Sequence, residues 1–280
     1  MASKDIFELY DEIKDDLKFI TSSDIRAKII ISLKEGPKKL GDLKDEVHMR
    51  SSSILHSMSQ LENKNLISRE FRSYSLSQTG EMIAIILIDM VNSFSLMRTH
   101  EDFWLNHEIN EIPEDLVGKI DCLGDFKVIN SLLPDSPEQS IFKKLLLSSK
   151  VIKGIISPLI IHDELEVVNK KEDICLILAN NTLNETIEIL NSQIPLFGAQ
   201  KSKIFASSQN LNIIENIKLL KIKDDLKLVL IVTDNFLLLN LPQLQKKDSI
   251  SYLMSETDES IEWGNKLFNY YLNQAEELNI

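Results

Sequence analysis

A chain of 280 residues, 43% hydrophobic and 26% charged, is an ordinary globular composition with length for one or two domains and a substantial core. A net charge of −12 excludes a uniformly basic nucleic-acid binder, yet the charge is uneven. Residues 1–100 carry 14 Lys+Arg against 15 Asp+Glu, and residues 101–280 carry the other 17 against 28.

Ile6, Leu9, Tyr10, Ile13, Leu17 and Ile20 recur at helical spacing and predict a first amphipathic helix over Asp5–Phe19. Ser22-Ser23-Asp24 offers an N-cap to a second helix carrying Ile25, Ile29, Ile30 and Leu33, which stops at Glu35-Gly36-Pro37. Pro37–Val47 reads as a third, short helix, His48-Met49-Arg50 as a turn, and Ser51–Asn63 as a fourth helix. In that helix Ile54, Leu55, Met58 and Leu61 share a face expected to be buried, and Ser53, His56, Ser57 and Gln60 lie opposite. Two short alternating runs, Leu66–Phe71 and Tyr74–Ser77, flank a basic tip at Arg72-Ser73. Gln78-Thr79-Gly80 then opens a long helix, Ser77–Thr99, with Met82, Ile85, Ile86, Met90, Phe94 and Met97 in one stripe.

Helix, turn, Ser-rich helix, basic hairpin, helix is the order of a winged helix-turn-helix, placed at residues 1–100 with flanking helices. Short hydrogen-bonding side chains led by a basic residue suit a helix in the major groove of double-stranded DNA. The expected DNA contacts are Arg50, Ser51, Ser53, His56, Ser57 and Gln60 to base edges or phosphates, with Arg69, Arg72 and Tyr74 gripping the flanking backbone. The competing view is an adaptor winged helix that binds protein; the arginines at the helix start and the wing favour DNA. Asp5–Phe19 and Ser77–Thr99 are the helices best able to join two copies, so a homodimer is expected.

Beyond Phe103-Trp104-Leu105 and Ile112-Pro113 the pattern changes. Phe126–Ile129, Val151–Leu159, Ile174–Ala179 and Lys203–Ala206 read as strands, Ser136–Ser149 and Leu183–Ile194 as helices. Leu226–Val232 and Phe236–Leu241 flank a hairpin turn at Thr233-Asp234-Asn235, and Asp258–Leu278 closes the chain as a helix. Strands alternating with helices give residues 101–280 an α/β fold, and the whole chain an α+β class.

The winged helix, Phe103-Trp104, Lys153-Gly154-Ile155-Ile156-Ser157-Pro158 and the ending Ile261-Glu262-Trp263-Gly264-Asn265-Lys266-Leu267-Phe268 with Tyr271 together resemble archaeal regulators that carry the methanogenesis regulatory protein domain. That resemblance covers nearly the whole chain and implies a transcription regulator of an archaeon, such as a methanogen; the favoured reading gives it a C-terminal α/β domain that senses a small-molecule or protein effector. The α/β half is also similar in element order to the phospholipase D-like domains of some archaeal sugar-responsive regulators. Their chemistry requires His-x-Lys, and none of His48, His56, His100, His107 or His162 has Lys two positions on.

No catalytic site, cofactor or metal site is expected. The eight glycines form neither GxGxxG nor GxxxxGK[ST]. His100, Glu101, His107 and Glu108 could be drawn as metal ligands, but a solvated helix end explains them as well. Cys122 and Cys175 lack CxxC spacing and read as isolated thiols in a reduced cytoplasmic setting. The charged start of the chain is unlike a signal peptide, and Met82–Ile88, the longest apolar run at seven residues, is too short to span a membrane. The rival functional class is an enzyme with an unrecognised site in residues 125–245 and an accessory winged helix.

Overall fold

The computed structural model describes residues 5–129, 136–156, 173–193, 217–245 and 250–278. The chain divides into two units, Met1–Phe94 and Ser95–Ile280, and the division falls within a helix.

Unit 1 runs α1 (Ile6–Thr21), α2 (Asp24–Leu33), β1 (Lys38–Lys39), α3 (Leu40–Val47), α4 (Ser51–Asn63), β2 (Ile67–Glu70), β3 (Ser73–Leu76) and α5 (Gln78–Thr99). Its three-stranded sheet has the order β1-β3-β2, antiparallel throughout. The expected third helix therefore begins later: Lys38 and Lys39 pair with Tyr74 and Ser73, and the helix starts at Leu40. The Lys39 N–H donates to Asp42 Oδ2 at 2.9 Å, which satisfies one of the free donors at that helix start.

The core gathers Ile29, Ile30 and Leu33 of α2, Leu43 and Val47 of α3, and Ile54, Met58 and Leu61 of α4, with Tyr74 of the wing and Ala84 and Leu87 of α5. Each such aliphatic side chain contributes about 1.5–3 kcal/mol on burial. Gly80 sets the approach of α5: a Cβ there would lie 1.9 Å from the Leu66 carbonyl oxygen. That carbonyl also accepts the Ser77 N–H at 2.9 Å.

No residue of α1 is buried. The end of α1 is fixed by Arg26, whose Nε donates to the Phe19 carbonyl at 2.7 Å while its guanidinium lies 4.3 Å from the Phe19 ring centre. Lys64 reaches from the end of α4 to Asp16 at 2.8 Å. The α5 helix is long and apolar enough to cross a membrane by length and composition, although its longest uninterrupted apolar run is Met82–Ile88. Yet Gly80, Ala84 and Leu87 face the core of unit 1, and Glu81 pairs with Lys34.

Unit 2 continues with α6 (Glu101–Asn106), α7 (Glu114–Val117), a 3-10 turn (Ile120–Leu123), β4 (Lys127–Ile129), α8 (Pro137–Ser148), β5 (Val151–Ile156), β6 (Asp173–Leu178), a second 3-10 turn (Asn180–Thr182) and α9 (Leu183–Gln193). It closes with β7 (Ile217–Lys221), β8 (Val229–Thr233), β9 (Leu237–Asn240), β10 (Tyr252–Ser255), α10 (Asp258–Leu272) and β11 (Glu276–Glu277). The eight strands make one mixed sheet in the order β11-β7-β6-β5-β8-β9-β10-β4, parallel across β5, β6 and β7 and antiparallel elsewhere.

The expected hairpin lies at β8–β9, where the Thr233 hydroxyl accepts the N–H groups of Asn235 and Phe236, each at 3.0 Å. The closing helix is shorter than periodicity suggested. It ends at Leu272, and Glu276–Glu277 forms an edge strand on β7. The expected strand at Lys203–Ala206, and residues 157–159 of the expected Val151–Leu159 strand, lie outside the described residues. On α10, Trp263, Leu267, Phe268 and Tyr271 enter the larger core with Ile155, Ile177, Leu230 and Val232 of the sheet.

Candidate nucleic-acid interface

The outward face of α4 follows from its inward one. Ile54, Ser57, Met58 and Leu61 are buried, at steps of three, one and three, so the opposite stripe is Ser52, Leu55, His56, Ser59 and Asn63, all exposed. This corrects three sequence-based placements. Leu55, expected inside, is 44% exposed. Ser57, expected on the reading face, is 4% exposed and packs inward. Gln60 is half-buried and its Oε1 accepts from Arg26 Nη1 at 2.9 Å, so it braces α2 rather than pointing outward.

Arg50 and His56 are exposed, and Ser51 and Ser53 are half-buried on the flanks. Ser52, Ser59 and Asn63, not expected on this face from the sequence, share it with His56 and Leu55. The signal was available: Ser57 stands three residues after Ile54 and four before Leu61, on the core side whatever its polarity.

In the wing, Arg69 and Arg72 are exposed. Tyr74 was expected to grip the DNA backbone, but it is 4% exposed and belongs to the core, with the Arg69 guanidinium 5.4 Å from its ring centre. Tyr74 thus holds Arg69 along the wing. The Ser68 and Ser75 hydroxyls meet across the strands at 3.1 Å.

Charge is distributed unevenly over this unit. Lys38 bonds Glu35 and Glu46, each at 2.7 Å, and the hydrogen bond to Glu35 and then that to Glu46 hold its ammonium above the usual lysine range. Among the described residues Arg50, Arg69 and Arg72 form no ion pair, so their charge remains available to a phosphate partner. The left-handed backbone of His48, at φ 54°, ends α3 and turns the chain into Arg50 and α4.

The two histidines weighed as metal ligands in unit 2 make contacts of their own. His107 is buried; its Nδ1 lies 2.7 Å from the Phe103 carbonyl, which can only accept, so Nδ1 carries the proton. His100 stacks on Phe126 at 3.8 Å, and burial pushes its pKa down against the opposing pull of Asp125. No group of three or more His, Cys, Asp or Glu among the described residues is placed to hold a metal. Cys122 and Cys175 form no disulfide, and burial raises the pKa of Cys175.

A sequence model of the N-terminal domain of methanogenesis regulatory protein FilR1 matches residues 14–95, and one of its middle domain matches residues 139–274. The methanogenesis regulatory protein FilR1 of Methanothrix harundinacea (strain 6Ac) is 26% identical over 273 residues, covering 94% of this chain and 58% of its own length. The chain thus spans less than two thirds of that relative. Among solved structures, TrmBL2, described as an archaeal chromatin protein with a novel mode of DNA binding, overlaps 98% of this chain and 100% of its own at 12% identity and TM-score 0.39. NucT from Helicobacter pylori overlaps 55% of this chain and 100% of its own at 12% identity and TM-score 0.37. At those scores neither structure bears on the reading. With both domain models matched in order along one chain, this protein belongs to the family of methanogenesis regulatory protein FilR1.

Proposed function

We propose that this chain is a sequence-specific, DNA-binding transcription regulator of an archaeon, acting in the cytoplasm as a homodimer without catalysis of its own. The observation that carries the reading is the exposed α4 stripe, Ser52, Leu55, His56, Ser59 and Asn63, on a helix whose other face is locked into the core beside a basic wing. Hydroxyl, imidazole and amide groups can bond base edges, and an exposed leucine suits a thymine methyl. Arg50 and Ser51 at the helix start, Ser53 on its flank, and Arg69 and Arg72 on the wing would fix the register on phosphates. The family name supports a regulatory role rather than an enzymatic one.

A second copy is the partner best suited to α1 and α5. Ile6, Tyr10, Ile13 and Leu17 follow a four-three-four spacing and are 69%, 51%, 47% and 44% exposed. Ile86 and Phe94 of α5 are 67% and 63% exposed. Apolar seams of this spacing are covered by packing against another helix. In this reading unit 2 is the regulatory domain, and an effector that favours one arrangement of the dimer would alter operator affinity.

The test is selection of duplexes from a random-sequence library with the full chain, followed by footprinting. A palindromic site protected in two half-sites about 34 Å apart is the expected result. Equal retention of every duplex, or of none, would reject the reading.

A further inference from the structure

Phe71 stands at the tip of the wing and has no partner within the described chain. The β2–β3 ladder closes at Glu70↔Ser73, so Phe71 and Arg72 are the entire loop. Two-residue hairpins of this kind normally place glycine, asparagine or aspartate where φ is positive. Here that position is a phenylalanine at φ 53°. The side chain is 100% exposed, whereas the next most exposed large apolar group among the described residues, Phe7, is at 74%.

A phenyl ring held in water on a left-handed backbone position is unfavourable twice over. Its surroundings restrict what could cover it. Residues 68–72 are all exposed; Arg72 follows the ring directly, and Arg69 precedes it with the exposed Glu70 between them. Tyr74 fixes the direction of Arg69 from beneath. An apolar point between two cations, on a hairpin one loop wide, matches a duplex groove: phosphates on both rims and an apolar base stack at the floor. It matches an apolar protein surface poorly, because both arginines would lose water without gaining an anion.

We propose that Phe71 is an apolar wedge that enters the minor groove of the bound duplex and partly unstacks one base step, with Arg69 and Arg72 on the flanking phosphates. This rests on the DNA-binding reading above. The wedge favours a flexible pyrimidine–purine step at its point of entry, so it selects sequence outside the bases that α4 touches.

The experiment uses the full chain and a duplex chosen from the random library, with 2-aminopurine placed at successive positions across the footprint. Wild type should brighten the probe at one step beside the α4 half-site. Phe71→Leu should keep that signal, and Phe71→Ala should lose it while leaving the footprint limits in place. Because the ring is fully exposed, Phe71→Ala should match wild type in circular dichroism and melting. A footprint with no brightened step, or brightening unchanged in Phe71→Ala, overturns the wedge and leaves DNA binding standing. Absence of any footprint overturns both. Loss of self-association in Phe71→Ala with an unchanged probe signal assigns the ring to a protein contact and rejects the wedge.

Discussion

Trp263 on α10 donates its indole N–H to the Leu116 carbonyl at 3.0 Å, joining residues 147 apart in sequence. About two turns further along the helix, the Tyr271 hydroxyl donates to the Glu111 carbonyl at 2.5 Å, and burial raises the pKa of that phenol far above its ordinary value. The Glu111 carboxylate in turn accepts the Leu228 N–H at 2.6 Å and the Lys227 N–H at 3.1 Å, ahead of β8. The Ile-Glu-Trp-Gly ending that carries the family resemblance is thus the start of a clasp over residues 111–116. Trp263→Phe keeps most of the packing and removes one bond to a carbonyl that still accepts the Lys119 N–H at 3.1 Å, at about 0.5–1.5 kcal/mol. Urea unfolding should show a lower midpoint with an unchanged slope; an unchanged midpoint would show the clasp to be idle.

How far the sequence revealed this fold depended on whether local pattern and tertiary contact agreed. The helices α1, α4 and α5 are legible from three-to-four apolar spacing, and in α2 and α8 the capping residues Ser23 and Ser136 mark the start as well. β7 and β10 were not read, since a strand of four or five residues is specified by its neighbours in the sheet more than by its own sequence. Lys38-Lys39 was read as helix because pairing with β3, which no local signal announces, decides it. The candidate interface was half legible. His56 and the three arginines were placed on the surface, but polarity was used as a proxy for exposure. Ser57 and Tyr74 show that a hydroxyl can lie inside, and Leu55 that a leucine can lie outside.

Gly80 offers a test in which two effects oppose each other. In a helix interior Gly→Ala ordinarily stabilises by about 0.8–1 kcal/mol. Here the new Cβ would meet a backbone oxygen at 1.9 Å, so helix and strand must separate. Overpacking costs typically about 1–3 kcal/mol and should win. Gly80→Ala is expected to lower the melting temperature, and a rise would mean that α5 moves away from Leu66 freely.

Substitutions on α4 should divide by where the side chain points. His56→Ala should weaken operator binding by roughly 1–3 kcal/mol and relax base choice, with stability changed by no more than about 0.5 kcal/mol. Gln60→Ala removes the acceptor for Arg26 Nη1, and should cost roughly 0.5–1.5 kcal/mol of stability before it affects binding. The two are separated by measuring melting and gel-shift affinity on the same preparations. Equal base relaxation in both, with neither destabilised, would put Gln60 back on the reading face.

Arg72 should behave as a phosphate contact. It is exposed at the wing tip and carries no ion pair among the described residues, so Arg72→Ala should weaken all duplexes about equally. The slope of log affinity against log salt should fall by about 0.9 for the lost contact. Altered preference at a single base pair would instead make Arg72 a reader of sequence.

Ile86 tests the dimer. It is 67% exposed on α5, so replacing it with glutamate removes nothing from the core of unit 1, where Ala84 and Leu87 face inward. A charge at that position would have to be desolvated if a second copy covered it, which an unpaired carboxylate resists strongly. Sedimentation should therefore shift from dimer to monomer in Ile86→Glu, while circular dichroism and melting of the separated chain stay intact. Operator affinity should fall with it, because a single winged helix offers half the contacts and residues 1–100 carry 14 basic against 15 acidic side chains. Ile13→Glu on α1, at 47% exposure, should act in the same direction if both helices share the seam. A wild-type chain that sediments as a monomer at the concentrations where it protects a palindrome would remove α1 and α5 from that role and leave their exposed stripes to a different partner.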